Sequence, residues 1–398
     1  MTYLKNPKIL LTCFLLINYP LMGIGIDLYA PSLPSIAKYF HTSDSMAKLS
    51  IAAYLGGCLF GSIILGTLSD YFGKKDSLII SMAIFTLSSF IIIFSIDINM
   101  LLIFRVIQGI GAGGLAAILK AIMVDNYKGK ELSKVAVYAS LCFGLGPTIA
   151  PSLGGYLEYY INWQASFIVL FIYGMIVLSL AYTILHKDNA HKSKKLSFAN
   201  TLKIYKDILS NKVFLFITIA LMIAYSIRVI FNVIGPFLIQ GDLHYSPIAF
   251  GNIAMVLGAA ALAGTVVNRL LLNIFKLEHI VFLGIALGVL GSIFLLFFGL
   301  VNVLNIYVIV IPIMLIFIGE SLFWPHYMAR SLSVVSEYSG TASALSSVLL
   351  AIGVFLSSSI SSFIKSETQM PIAIIYIALS IGILACFFVV RNNSKDSS

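Results

Sequence analysis

The chain has 398 residues, 60% of them hydrophobic and only 10% charged, with a mean hydropathy of +1.01. A water-soluble protein uses about 25% charged residues to cover its surface, so a soluble fold is excluded and a polytopic membrane protein is implied. The net charge of +9 then has to be read as topology, in units of about 20 apolar residues per bilayer crossing.

Apolar runs separated by charged or Pro/Gly/Asn-rich breaks predict twelve spans, near 8–29, 46–68, 77–95, 99–123, 135–158, 164–185, 213–239, 247–271, 279–300, 304–330, 338–364 and 371–391. With both termini cytoplasmic, nineteen of the 25 basic residues fall on inside segments, and only Lys38, Lys48 and Lys365 on outside loops. This bias sets the orientation and explains the charge without nucleic acid. The first run follows Lys5 and Lys8 as a secretion signal would, but it continues to Ala30 through Pro20 and Asp27, so it is expected to remain as the first helix. Cys13, Cys58, Cys142 and Cys386 lie in apolar runs without metal-ligand spacing. Neither a metal, a cofactor nor a disulfide is expected.

Span 1 closes on Asp27-Leu28-Tyr29-Ala30-Pro31-Ser32-Leu33-Pro34. An acid inside a span is costly, and Pro31 and Pro34 prevent a regular helix behind it. Asp27 is therefore the first candidate to bind and release a proton, the plain alternative being a helix-end carboxylate in outside solvent. Tyr29 is a candidate cavity residue. Span 2 ends in Gly66-Thr67-Leu68-Ser69-Asp70-Tyr71-Phe72-Gly73-Lys74-Lys75. There Gly73 permits a tight turn, Asp70 can accept hydrogen bonds from a helix N-terminus, and Lys74 and Lys75 meet the anionic leaflet.

Span 4 carries Arg105 in Arg105-Val106-Ile107-Gln108-Gly109, whose burial calls for an acidic or cavity partner. A literal G-x-G-x-x-G follows at Gly109-Ile110-Gly111-Ala112-Gly113-Gly114. A dinucleotide site needs a preceding strand and an open helix N-terminus. Inside an apolar helix the same glycines predict close helix packing, as do Ala53, Gly57 and Gly61 in span 2 and Gly146, Ala150 and Gly154 in span 5.

The polar stretch 186–212 carries seven lysines between six spans on either side. It reads as a cytoplasmic linker between an N-terminal bundle, 1–185, and a C-terminal bundle, 213–398, with an amphipathic helix near Phe198–Leu209 lying on the inner leaflet. Gly264-Thr265-Val266-Val267-Asn268 ends span 8 much as the Gly66–Asp70 segment ends span 2. The fold class is thus all-α, twelve helices in two pseudo-symmetric six-helix bundles. In the second half, Arg228 and Glu320 are ionisable residues within spans. Glu320 is a candidate for proton or substrate contact, the alternative being a structural partner for Arg228. Tyr225, Arg228, Asn232 and Trp324 are candidate cavity residues, although the polar ones could equally be satisfied between helices.

The Gly66–Lys75 segment resembles the cytoplasmic loop signature of the major facilitator superfamily, with Tyr71 where that signature has Arg. Arg105-x-x-Gln108-Gly109 resembles the family's span-4 element, and Gly144, Gly146, Pro147, Gly154 and Gly155 resemble its antiporter motif. Asp27–Pro34, Pro147–Trp163, Gly340–Leu345, Lys120 and Asp125 resemble the Bcr/CflA branch of drug:proton antiporters. The resemblance implies the major facilitator fold and a monomer in the inner membrane. It also implies proton-coupled efflux of small amphipathic compounds by alternating access, with Asp27 and Arg105, which match family positions, coupling the proton; Glu320 joins them as a mid-span acid. A dedicated exporter or importer of a siderophore or other anionic metabolite would look the same, and Arg228 with Lys120 would suit such cargo. A non-transporting enzyme or receptor is the remote alternative, because the six histidines are scattered and no loop is long.

Overall fold

The computed structural model describes residues 7–185, 198–335, 339–365 and 368–395. The Asp70 side chain and residues 186–197 of the linker lie outside the described residues. All regular structure in the described residues is helical, and twelve segments are long and apolar enough to cross a bilayer.

Span 1 is broken into α1 (Pro7–Asn18), α2 (Leu21–Asp27), a 3-10 turn (Ala30–Ser32) and α3 (Leu33–Tyr39). The first break follows from Pro20, which has no N–H to give the preceding turn. The Tyr173 hydroxyl, from a later helix, donates to the Ile17 carbonyl at that break. Spans 2 to 6 are α4 (Asp44–Phe72), α5 (Lys74–Ile92), α6 (Ile98–Asn126), α7 (Gly129–Tyr160) and α8 (Gln164–Ile184). Ser43 and Asp97 cap α4 and α6 by accepting from Met46 N and Met100 N at 3.4 and 2.7 Å.

The linker contributes α9 (Phe198–Ser210), and the second set of spans is α10 (Lys212–Pro236), continued by a π-turn (Phe237–Asp242), then α11 (Pro247–Leu271), α12 (Leu277–Leu300), α13 (Ile306–Ser333), α14 (Ser339–Ser362) and α15 (Met370–Lys395). Helix α9 departs from the expected leaflet-bound position. Its Ile208 is buried with Phe214 and Ala342, and Ile204 packs with Leu332, Val334 and Leu345. The apolar stripe covers the ends of α13 and α14 because that buries it against protein instead of headgroups.

The chain forms two compact units, Met1–Lys194 with Ser246–Met255, and Lys195–Tyr245 with Val256–Ser398. In the first, glycine faces bring α4 and α6 into backbone contact. A Cβ on Gly57 would lie 2.1 Å from Val106 O, and one on Gly113 2.0 Å from Cys58 O. A Cβ on Gly111 would lie 2.6 Å from Ser81 O of α5. The glycine-rich run thus serves as a packing face. The second unit repeats the device, since Gly264 of α11 meets Ser321 and Ile318 of α13 where Gly66 of α4 meets Ala117 of α6.

Candidate functional site

In the first unit Arg105 is fully buried. Helix α6 carries it to face α2 and α4. Its Nη1 donates to the Gly25 carbonyl at 3.0 Å and to Gln108 Oε1 at 2.6 Å, and its Nε donates to the Ser50 carbonyl at 3.3 Å. The guanidinium lies 4.2 Å from the ring centres of both Tyr29 and Tyr54. Among the described residues Nη2 meets no acceptor in hydrogen-bond geometry. The acceptors are neutral oxygens, so the cation is held by dipoles and two aromatic faces, not by the carboxylate that its burial suggested. Gln108 passes the network on, donating to Ser89 Oγ at 2.7 Å.

Tyr29, expected at a cavity wall, is fully buried. Its hydroxyl shares a 2.7 Å hydrogen bond with Ser50 and its ring is occupied by Arg105, which removes it from any cavity surface. Tyr54 and Ser50 were not singled out from the sequence, although a tyrosine amid the small residues of span 2 is a visible anomaly.

Asp27 is the last residue of α2 and is 6% exposed. It is thus not a solvent-facing helix end. Arg105 grips the same helix two residues earlier, at Gly25. The antiporter-motif residues form the opposite wall. A Cβ on Gly146 would come within 2.5 Å of Pro20, one on Gly154 within 1.7 Å of the Leu28 carbonyl, and one on Gly23 within 2.7 Å of Pro147. Gly144 gives its carbonyl to Thr148 at 2.8 Å. Gly155 faces the Pro247 carbonyl, in the stretch that clusters with this unit. Close approach of α7 therefore fixes the short helix that carries Asp27.

The loop between α4 and α5 turns at Gly73, whose φ of 92° and ψ of 149° are open to glycine and not to residues with a Cβ. Lys74 pairs with Asp125 at the end of α6. Lys75 donates to the Leu185 carbonyl at 2.5 Å and the Tyr182 carbonyl at 3.2 Å, at the end of α8. Lysines expected at the leaflet instead tie three helix ends together, with Lys75 answering the negative end of α8.

In the second unit, Arg228 Nε donates to Glu320 Oε2 at 2.6 Å. Glu320 is 3% exposed, and its Oε1 has no hydrogen-bond partner among the described residues. The Arg228 guanidinium lies 5.1 Å from the Phe317 ring centre. The Tyr225 and Trp324 rings stand 6.2 Å apart beside it, while Asn232 follows one turn further along α10. Asn268, the counterpart of Asp70, donates to the Ser321 and Leu322 carbonyls at 3.2 Å and meets His326 at 2.8 Å.

The chain is similar to known transporters. A transporter of Rickettsia bellii, itself uncharacterised, is 28% identical over 97% of this chain and 96% of its own length. A bicyclomycin resistance protein homolog of Haemophilus influenzae is 24% identical, covering 94% of each chain. The crystal structure of a D-xylose-proton symporter superposes with a TM-score of 0.77 at 17% identity, over 96% of this chain and 97% of that one, which establishes the fold. The family model of the Major Facilitator Superfamily matches residues 15–358, most of the chain. The small-residue faces, the Gly73 turn and the buried Arg105 are thus features of a multi-pass transporter, and the chain belongs to the Major Facilitator Superfamily.

Proposed function

We propose that the protein is a proton-coupled exporter of small amphipathic compounds, working by alternating access in the cytoplasmic membrane with both termini inside. The observation that carries the coupling is the burial of Asp27 at the end of an interrupted helix. A buried carboxylate within a span is retained at a cost that a purely structural role does not require. Broken helices in transporters place such groups where ions and substrates bind. Arg105, which holds α2 by its Gly25 carbonyl, makes Asp27 responsive to movement of α6. Glu320, with one oxygen unbonded, is a second carboxylate for the proton. The export direction is supported by the bicyclomycin resistance named for the Haemophilus relative.

Energetically, one proton moving down 100 mV supplies about 2.3 kcal/mol, and each tenfold substrate gradient requires about 1.4 kcal/mol. Antiport is adequate on that scale. An anionic metabolite as cargo drew on the charge of Arg228, and its ion pair with Glu320 weakens that reading. The experiment is flux of an amphipathic drug from proteoliposomes under an imposed pH gradient. Gradient-driven movement abolished by a protonophore is expected, and gradient-independent flux would contradict the coupling.

A further inference from the structure

We propose that Asn268 is a positioning residue of the transporter: it supplies the hydrogen bond that Pro325 takes from α13, and so holds the turn that carries Glu320 and Trp324. A proline inside a helix removes one N–H and presses its ring against the carbonyl four residues back. Pro325 lies inside α13, and the carbonyl four residues back belongs to Ser321. From α11, Asn268 Nδ2 donates to the Ser321 carbonyl and to the Leu322 carbonyl beside it, at 3.2 Å each. Asn268 and Ser321 are both buried. A proline break in a membrane helix is tolerated where a neighbouring helix satisfies the freed backbone group, and here a single side chain does so.

The amide can face only one way. The two backbone oxygens only accept, so the nitrogen points at them and Oδ1 is left to accept from His326 Nε2 at 2.8 Å. One side chain thus binds α13 on both sides of the break, at 321–322 and at 326. The two helices are also in close contact there. A Cβ on Gly264, one turn before Asn268, would lie 3.0 Å from Ser321 Cβ and 3.2 Å from the Ile318 carbonyl. Glu320, directly before Ser321, pairs with Arg228 of α10, and Trp324, directly before Pro325, stands beside Tyr225 of the same helix. Helices bend most sharply at proline, so the bond from α11 sets the bend, and the bend sets where Glu320 and Trp324 stand. This role is independent of the cargo, of the direction of transport and of proton coupling.

The test uses the full chain in lipid nanodiscs, with its two tryptophans, Trp163 and Trp324, labelled as 5-fluorotryptophan. The Trp324 fluorine signal is identified by its loss in Trp324→Phe. Asn268→Leu removes the donor and is expected to shift or split the Trp324 signal, leaving that of Trp163, in the other unit, in place. It should also lower the melting temperature. Pro325→Ala restores an N–H for the Ser321 carbonyl. In that background Asn268→Leu should cause no more than about a third of the melting-temperature loss it causes beside Pro325, because the carbonyl no longer goes unpaired. If Asn268→Leu alone does not fold, recovery of folded protein on adding Pro325→Ala is the result expected. An unmoved Trp324 signal, equal movement of both fluorine signals, melting-temperature losses of similar size in the two backgrounds, or failure to fold in both would each overturn the proposal.

Discussion

A charged side chain at the centre of a membrane helix costs about 2.5–3.5 kcal/mol on insertion scales, and Arg105 meets that cost with neutral groups. Two tyrosine faces at 4.2 Å contribute about 2 kcal/mol in a desolvated site, and the Gly25, Ser50 and Gln108 oxygens add hydrogen bonds to a cation. Arg105→Ala is expected to abolish proton-driven flux at equal protein in the membrane. Arg105→Lys should retain a fraction, because it keeps the charge and loses the planar face and the fork of donors. The pair in the second unit obeys a different rule. Glu320 is buried but Arg228 is partly exposed, so Arg228→Leu leaves a buried carboxylate uncompensated and should lower thermal stability in detergent by an amount corresponding to about 1–2 kcal/mol, solvent screening part of the pair. Arg228→Leu combined with Glu320→Leu should recover most of that loss, since both charges are then gone. From the sequence it was legible that Arg105, Arg228 and Glu320 needed partners. The Arg228–Glu320 pairing was one of the two alternatives read for Glu320, whereas the partners of Arg105 were not legible, because neutral carbonyls and ring faces leave no charge pattern to read.

The elements were more legible than their partners, because a run of apolar residues needs no tertiary information to be recognised. The span boundaries read from hydropathy fall close to the helices observed, and the glycine faces of spans 2 and 4 pack as their four-residue spacing implies. The linker helix was misplaced for a physical reason. An amphipathic stripe announces that it will be covered without saying by what, and Ile208 chose Phe214 and Ala342. The loop before α5 turns on Gly73 at φ 92°. Gly73→Ala is expected to cost about 1–3 kcal/mol through backbone strain, read as a lower melting temperature of the purified protein. Asp70→Asn, in the same segment, should impair flux while leaving the amount of protein in the membrane nearly unchanged. Unaltered flux at equal expression would remove any gating role for the loop.

At the scale of the whole molecule, the twelve membrane-spanning segments among the described residues and the family place the protein among multi-pass transporters. Proton coupling is the claim on which the functional account depends, and it converges on Asp27, the buried end of an interrupted helix held by the residue that Arg105 grips. Asp27→Asn keeps the shape of the side chain and fixes it uncharged, so it separates coupling from binding. The most direct measurement is uphill drug flux in proteoliposomes under an imposed pH gradient, for the unaltered protein and for Asp27→Asn at equal reconstitution. Gradient-driven flux in the former, and its loss in the latter with downhill exchange and substrate binding retained, is the predicted result. Near-normal uphill flux by Asp27→Asn would contradict the account and move the proton to another carboxylate, with Glu320 the next to test.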